Sequence, residues 1–361
     1  MKPLRMIQVG TGGFGGTWCN RFLPPSVAEG FVEVIAAVDI NPDALNNAKQ
    51  HLGLSDGQCY TDLRKAMEEN PADFCTVVVP PSFHEQVVDA ALEHDLHILS
   101  EKPIADTLEG SIRIANKVAK AGKKMGVTMS HRFDQDKTTL RGMIRSGDYG
   151  DLDYLICRFT CDNRQFGSWG EFRHKIPDAL MVEGAVHQLD FLVDMAGAKC
   201  DTIYAQTWNP PWGEYQGDSQ GLVTMTCENG KRVFYEGAKS NAMSLNCWGN
   251  DYVRAECEKA TLILNRRKIE LFRHGGGPPD KYLLKDKGET VALAERPRWV
   301  HRWLIEQFVG WLNGGKPMVT NVDDTLQSVA LIFGAIQSSR TGQSVKVQRL
   351  LQDTRRKVEE E

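Results

Sequence analysis

Nowhere in these 361 residues is there a run of eighteen apolar side chains, and no block of lysine and arginine stands out. The first absence argues against a membrane-spanning helix, the second against a polyanionic partner or a charged membrane surface. The formal net charge is −4, which argues for neither. No apolar signal stretch follows Met1-Lys2-Pro3-Leu4-Arg5, so a cytoplasmic protein is expected. The nine cysteines are odd in number and scattered, with no Cys-x-x-Cys. They read as reduced thiols in a cytosolic chain, and no metal site is expected from them. Cys157 and Cys161 lie four apart on an expected strand, which puts two small side chains on one face. His94 and His97 straddle a helix end and a strand start and are not read as ligands.

What is present is a nucleotide-binding pattern at the start of the chain. The apolar strand Met6-Ile7-Gln8-Val9 runs straight into Gly10-Thr11-Gly12-Gly13-Phe14-Gly15, and a helix is expected near Gly16. In such a G-x-G-x-x-G turn the first glycine makes the bend, the second admits a pyrophosphate to the backbone, and the third lets helix and strand pack closely. The helix start then offers free N–H groups to phosphate. A second strand, Val32 to Val38, ends in Asp39, close to the spacing at which an acid binds the adenosine ribose. No Arg or Lys follows in Ile40-Asn41-Pro42, so NAD is favoured over NADP.

Strands and helices keep alternating through Phe74–Val79, a helix from His84 to His94, His97-Ile98-Leu99, a helix from Leu108 to Ala121, and a strand over 124–130. That rhythm predicts a doubly wound parallel sheet over residues 1–130. Ile40 and the Pro80-Pro81 turn then lie along the cofactor. His84 reads either as a cofactor neighbour or as a packed residue. Ser100-Glu101-Lys102-Pro103 sits at the carboxyl edge of the sheet, aiming Lys102 into the crevice where ligands of open α/β folds bind. Pro103 holds Lys102 extended and admits a cis bond.

Beyond residue 130 the period changes. A helix over 137–145 precedes expected strands at 152–162, 202–208, 221–227, 232–236, 242–248 and 261–264, an antiparallel pattern with helices beside it. This predicts an α+β substrate domain over 131–345 and a charged tail over 346–361 that frays from Gln352. His274 to Glu289 reads as an exposed loop. Helices at 299–312 and 325–339 are expected to pack on the first domain. On a helix from Glu183 to Met195, Glu183, His187, Asp190 and Asp194 fall at i, i+4, i+7 and i+11, one polar stripe. A histidine preceded by an acid one turn away suits a general base, although a lone histidine is more often structural. The segment from Asn163 to His174 mixes aromatic and polar side chains, as a sugar ring requires.

The glycine turn, Asp39, Glu101-Lys102-Pro103 and the acid-x-x-x-His helix, taken in that order, resemble the glucose-fructose oxidoreductase / inositol dehydrogenase / rhizopine catabolism (Gfo/Idh/MocA) oxidoreductase family over nearly the whole chain. The resemblance implies an NAD(P)-binding Rossmann domain followed by an α+β domain on a large, mostly antiparallel open sheet, often used to form homo-oligomers. It also implies a lysine and a histidine acting on a sugar or cyclitol hydroxyl. By position these are Lys102 and His187. Glu183 stands where the family usually has Asp, and His131-Arg132-Phe133 replaces the commoner Asn-x-Arg. The candidate catalytic set is therefore Lys102, His187 and Glu183. The cofactor set is Gly10, Thr11, Gly12, Gly13, Phe14, Gly15, Asp39, Ile40, Pro80, Pro81, His84, Glu101 and Lys102. The substrate set is Lys102, Arg132, Trp169, Arg173 and His187.

A finer similarity, to bacterial enzymes that oxidise the C3 hydroxyl of glucosides and C-glucosides, implies a small-molecule sugar or glycoside substrate, with neither nucleic acid nor membrane as partner. Glycoside cleavage through transient oxidation, inositol oxidation and a non-catalytic NAD-binding role are the alternatives.

Overall fold

A computed structural model describes residues 2–275 and 287–360. The chain divides into two compact units, one formed by Met1–Ser130, Arg298–Val329 and Thr354–Glu361, the other by His131–Pro297 and Ala330–Asp353.

The first unit is built on six parallel strands: β1 (Leu4–Val9), β2 (Val32–Val38), β3 (Cys59–Tyr60), β4 (Phe74–Val77), β5 (His97–Ser100) and β6 (Met125–Val127). Their order is β3-β2-β1-β4-β5-β6, the doubly wound arrangement, with its switch point between β1 and β4. The strands are continuous apolar runs because both faces are covered: Met6, Ile7, Phe74, Cys75, Ile98 and Leu99 are all fully buried. Gln8, Thr76 and Ser100 are buried polar exceptions. Thr76 Oγ1 donates to Gln8 Oε1 at 2.7 Å, and Gln8 Nε2 donates to the Gly10 carbonyl at 2.7 Å, so the pair satisfies itself while bracing the glycine turn. Residues 320–321 pair with β6 and cover that sheet edge: Val127 N donates to Thr320 O at 2.8 Å, and Thr320 Oγ1 returns a bond to Val127 O at 2.7 Å.

The second unit holds a nine-stranded sheet of β7 (Leu152–Thr160), β8 (Cys200–Trp208), β9 (Gln220–Cys227), β10 (Arg232–Ala238), β11 (Tyr252–Cys257), β12 (Ala260–Asn265), β13 (Lys268–Arg273), β14 (Glu289–Val291) and β15 (Val345–Lys346). The order is β14-β13-β12-β11-β7-β10-β9-β8-β15, and every pairing is antiparallel except β7 with β10. Alternation fixes the buried face. Leu155, Cys157, Phe159, Val233, Tyr235, Val253 and Ala255 point inward under the helix Val186–Ala196, while Phe234 and Leu222 stay exposed.

Three expectations change. Residues 242–248 do not form a strand. Ser244 Oγ accepts from Asp162 N at 2.9 Å and Asn246 Nδ2 donates to Asn250 O at 3.1 Å, while the backbone of the segment keeps one isolated bridge, from Asn246 to Thr160. The helix carrying His187 opens with a π turn over Leu180–Ala185, so Glu183 is rotated off the ideal i, i+4 stripe. Finally, the tail expected to fray from Gln352 belongs to a helix, Val347–Glu360, with Val347, Leu351 and Thr354 buried at i, i+4 and i+7. Of the expected loop from His274 to Glu289, residues 276–286 lie outside the described residues.

Candidate functional site

The glycine turn has the shape its sequence demands. Gly10 adopts φ +89°, and a Cβ there would lie 2.1 Å from the Val78 carbonyl oxygen, at the end of β4. A Cβ on Gly15 would lie 2.3 Å from the Gly10 carbonyl oxygen, while one on Gly13 would meet nothing within 4 Å. The loop is thus pressed against the sheet below and open above. Asp39 Oδ2 accepts from the N–H groups of Thr11 at 2.7 Å and Gly12 at 2.9 Å, which fixes its carboxylate beside the turn. Phe14 and Ile40 are exposed at its rim. Bare backbone over an open face, with a carboxylate at the end of the second strand, fits a dinucleotide.

At the neighbouring strand ends, Pro80 and Pro81 form the short turn into the helix His84–Glu93. His84 is fully buried: Nε2 lies 2.9 Å from Val79 O and Nδ1 lies 3.1 Å from Ile104 O. Its ring is committed to the protein interior, tying the end of β4 to the segment after Lys102.

Glu101 is also buried. Its Oε1 accepts from Trp18 Nε1 at 2.9 Å and lies 3.2 Å from His301 Nε2. Burial opposes its charge, but the His301 bond and the Lys102 charge outweigh that and hold its carboxyl below the ordinary glutamate value. His301 stacks on Phe22 with ring centres 4.1 Å apart. Glu101 therefore anchors the turn that presents Lys102, whose bond to Pro103 is cis. Neither Trp18 nor His301 carries a sequence signal for this role, because their meeting depends on segments far apart in the chain.

In the second unit His187 is 6% exposed and stacks on His131, with ring centres 4.1 Å apart and planes at 10°. Trp248 stands edge-on to both imidazoles, at 5.7 Å from His131 and 6.1 Å from His187. Trp248 in turn packs on Phe159 at 4.6 Å and leans toward Trp169 at 5.9 Å. The fully buried Lys239 ammonium lies over three of these rings, 3.6 Å from the centre of Trp169, 4.0 Å from Trp248 and 4.5 Å from Phe159.

Each acid of the expected stripe meets an arginine. Glu183 Oε2 accepts from Arg173 Nε at 2.9 Å. Asp190 Oδ2 accepts from Arg132 Nε at 2.9 Å, with a second bond from Arg132 Nη2 to Oδ1 completing a buried fork. Asp194 Oδ2 takes Arg141 at 2.6 Å. Arg173 also donates to the Trp169 carbonyl at 3.2 Å and lies over the Trp169 ring. The structure thus brings Trp169, Arg173 and Glu183 together and commits Arg132 to Asp190.

Beneath the histidines lies a charge cluster the sequence did not announce. Lys137, fully buried, is 2.9 Å from Asp251, 3.3 Å from Asp134 and 3.6 Å from Asp136. Gln188, the residue after His187, donates to Asp251 at 2.9 Å. Burial works against the Asp251 charge, but Lys137 first and then His131 hold its carboxyl below the ordinary value. Burial pushes Asp136 the other way. Among the described residues no group of three or more His, Cys, Asp or Glu side chains could hold a metal ion, and no helix is long and apolar enough to cross a membrane.

Residues 4–129 match the profile of an oxidoreductase family's NAD-binding Rossmann fold, and residues 141–347 match the C-terminal alpha/beta domain of the same family. The chain is 49% identical over 351 residues to the uncharacterized protein y4oX of Sinorhizobium fredii, covering 97% of this chain and 98% of that one. It is 29% identical over 237 residues to inositol 2-dehydrogenase of Corynebacterium glutamicum, covering 65% and 67%. Among solved structures, an Agrobacterium radiobacter oxidoreductase in complex with NAD+, L-tartaric acid and magnesium superposes with a TM-score of 0.79 at 17% identity, over 97% of this chain and 100% of that one. The WlbA dehydrogenase of Bordetella pertussis in complex with NADH and UDP-GlcNAcA gives 0.78 at 18%, over 96% and 99%.

Proposed function

Because this chain belongs to the Gfo/Idh/MocA family of NAD-binding oxidoreductases, we propose that it is a dehydrogenase oxidising a secondary ring hydroxyl of a sugar, glucoside or C-glucoside, at C3, to the ketone. The observation that carries this reading is the His187 imidazole, buried against His131 and walled by Trp248. NAD, when bound, supplies the hydride acceptor. The glycine turn and Asp39 are the residues that would hold it, the turn offering backbone N–H groups to phosphate and Asp39 a carboxylate to the ribose. Pro80 and Pro81 line its path.

His187 takes the hydroxyl proton. Its Nδ1 is buried, which leaves Nε2 for that transfer. The flat face of His131 fixes the ring plane, and the Gln188–Asp251–Lys137 cluster fixes the helix beneath it. Lys102, by the family resemblance, stabilises the alkoxide as it develops. Trp169 offers an aromatic plane to the C–H face of a pyranose, and Arg173, steadied by Glu183, offers donors to its hydroxyls. The likeness to an inositol 2-dehydrogenase supports a polyhydroxylated ring as the substrate class.

We further propose a cytoplasmic homo-oligomer that buries the open sheet face carrying Phe234 and Leu222.

Steady-state kinetics with NAD and a glucoside test the roles. Lys102→Ala and His187→Ala should each lower kcat by roughly 10²–10⁴ while the fold and NAD binding persist. Unimpaired turnover in either variant would remove that residue from the mechanism. Product analysis tests the reaction itself: a keto-sugar still attached to its aglycone supports oxidation, whereas aglycone released without net NADH refutes it in favour of cleavage.

A further inference from the structure

Cys161, at the end of β7, and Cys247, in the segment before Trp248, are far apart in sequence and meet in the fold. Their sulfurs are 2.8 Å apart, with the Cys161 thiol donating to Cys247 Sγ. One backbone tie joins the segments that carry them, and a second fixes Cys161 against β10. Thr160 and Asn246 form an antiparallel bridge, and Cys161 N donates to Ala238 O at 2.8 Å. Cys161 is fully buried and Cys247 is partly open to solvent, so one sulfur is reachable and the other waits behind it.

We propose that Cys161 and Cys247 form an oxidation-sensitive modification site, a dithiol that a peroxide converts to a disulfide. Cys247 attacks the peroxide O–O bond, which breaks as an S–O bond forms. Sulfenic acid remains on Cys247, and the departing oxygen leaves as water. The Cys161 sulfur then attacks the Cys247 sulfur. The S–S bond forms, the S–O bond breaks, and a second water carries away the Cys161 proton. Each sulfur gives up one electron, and the peroxide is reduced to two waters.

Three features suit Cys247 to the first attack. The Cys161 S–H donates to it, the Trp248 backbone N–H faces it, and the Lys239 ammonium is close. The Cys161 bond acts first, and together they outweigh burial and hold the Cys247 thiol down to about 6. The same hydrogen bond and burial push the Cys161 thiol up, which makes it the resolving partner. The remaining cysteines with a resolved shift are all pushed up, burial being the largest cause for each. A disulfide here would pin residue 247 to β7 directly beside Trp248, the ring that borders His131 and His187.

The test needs neither cofactor nor substrate, so its result is independent of the proposed reaction. The full-length protein is reduced with dithiothreitol, freed of it, and titrated with hydrogen peroxide. Thiols are counted after denaturation, and unreduced peptides are mapped by mass spectrometry. The expected result is a loss of two thiols, a cross-linked peptide pair containing Cys161 and Cys247, and full recovery with dithiothreitol. In Cys161→Ser oxidation should stall after the first step, leaving a sulfenic acid on Cys247 that dimedone traps. Should that variant fail to fold, the cross-linked peptide from the unmutated protein decides alone. Oxidation that begins at other cysteines, or that carries Cys247 to sulfinic acid without a cross-link, would overturn the proposal.

Discussion

Lys137→Met removes the ammonium buried among Asp251, Asp134 and Asp136, at 2.9, 3.3 and 3.6 Å. The side chains of Lys137 and Asp251 are both 0% exposed, so water cannot replace the lost partner. Breaking a buried pair on one side costs about 3–5 kcal/mol, and for a unit of this size that lowers Tm by roughly 6–20 °C. The loss has a pH signature. The Asp251 carboxyl is depressed in the folded protein, so its stabilising contribution is fully present above the unfolded carboxylate value and lost as pH falls through the folded one.

In the variant that carboxyl sits in a dry site without its cation, and protonation relieves it. The gap between parent and variant should therefore be widest at neutral pH and should shrink on acidification toward pH ~4. Thermal melts followed by circular dichroism across that range read both effects. A second variant, Lys137→Met with Asp251→Leu, should recover part of the loss, because the most deeply buried unpaired charge has gone with its partner. A single variant within about 1 kcal/mol of the parent at neutral pH, or a gap that widens on acidification, would refute the reasoning.

Two further outcomes follow from the first unit. Gly15→Ala places a methyl group 2.3 Å from a backbone oxygen that has no side-chain freedom. It should destabilise by about 3 kcal/mol and weaken NAD binding, as melts with and without the cofactor would show. Asp39→Ala frees the Thr11 and Gly12 N–H groups. It should raise the Kd for NAD about ten- to a hundredfold by titration calorimetry while leaving Tm without cofactor within a few degrees.

The first sheet was legible because its signals are local: short apolar runs, a glycine turn after the first, an acid after the second. The second sheet was legible in outline, yet β11, β13, β14 and the terminal β15 were missed. Their alternation is diluted by charged residues such as Arg254, Glu256 and Glu270, which take the open side. The stretch over 242–248 misled because its apolar letters alternate, while its Ser244 and Asn246 side chains are spent on the backbone of Asp162 and Asn250. Site residues divided the same way. His187 and Lys102 stand on recognisable motifs. Lys239, Trp248 and the Lys137–Asp251 pair do not, since a buried lysine looks in sequence like any surface lysine and only the fold supplies its partners. The acid stripe was visible and Arg132 and Arg173 were named as substrate contacts, but their pairing with the stripe was not legible, and the π turn that rotates Glu183 leaves no mark in the pattern of apolar residues.

The most direct measurement mixes the purified protein with NAD and a panel of glucosides, free sugars and inositols, following the absorbance of reduced cofactor and the mass of each compound. The account predicts NADH formation with at least one ring polyol that loses two hydrogens and keeps its other bonds. No reduced cofactor with any member of the panel, from protein shown to bind NAD, would contradict it.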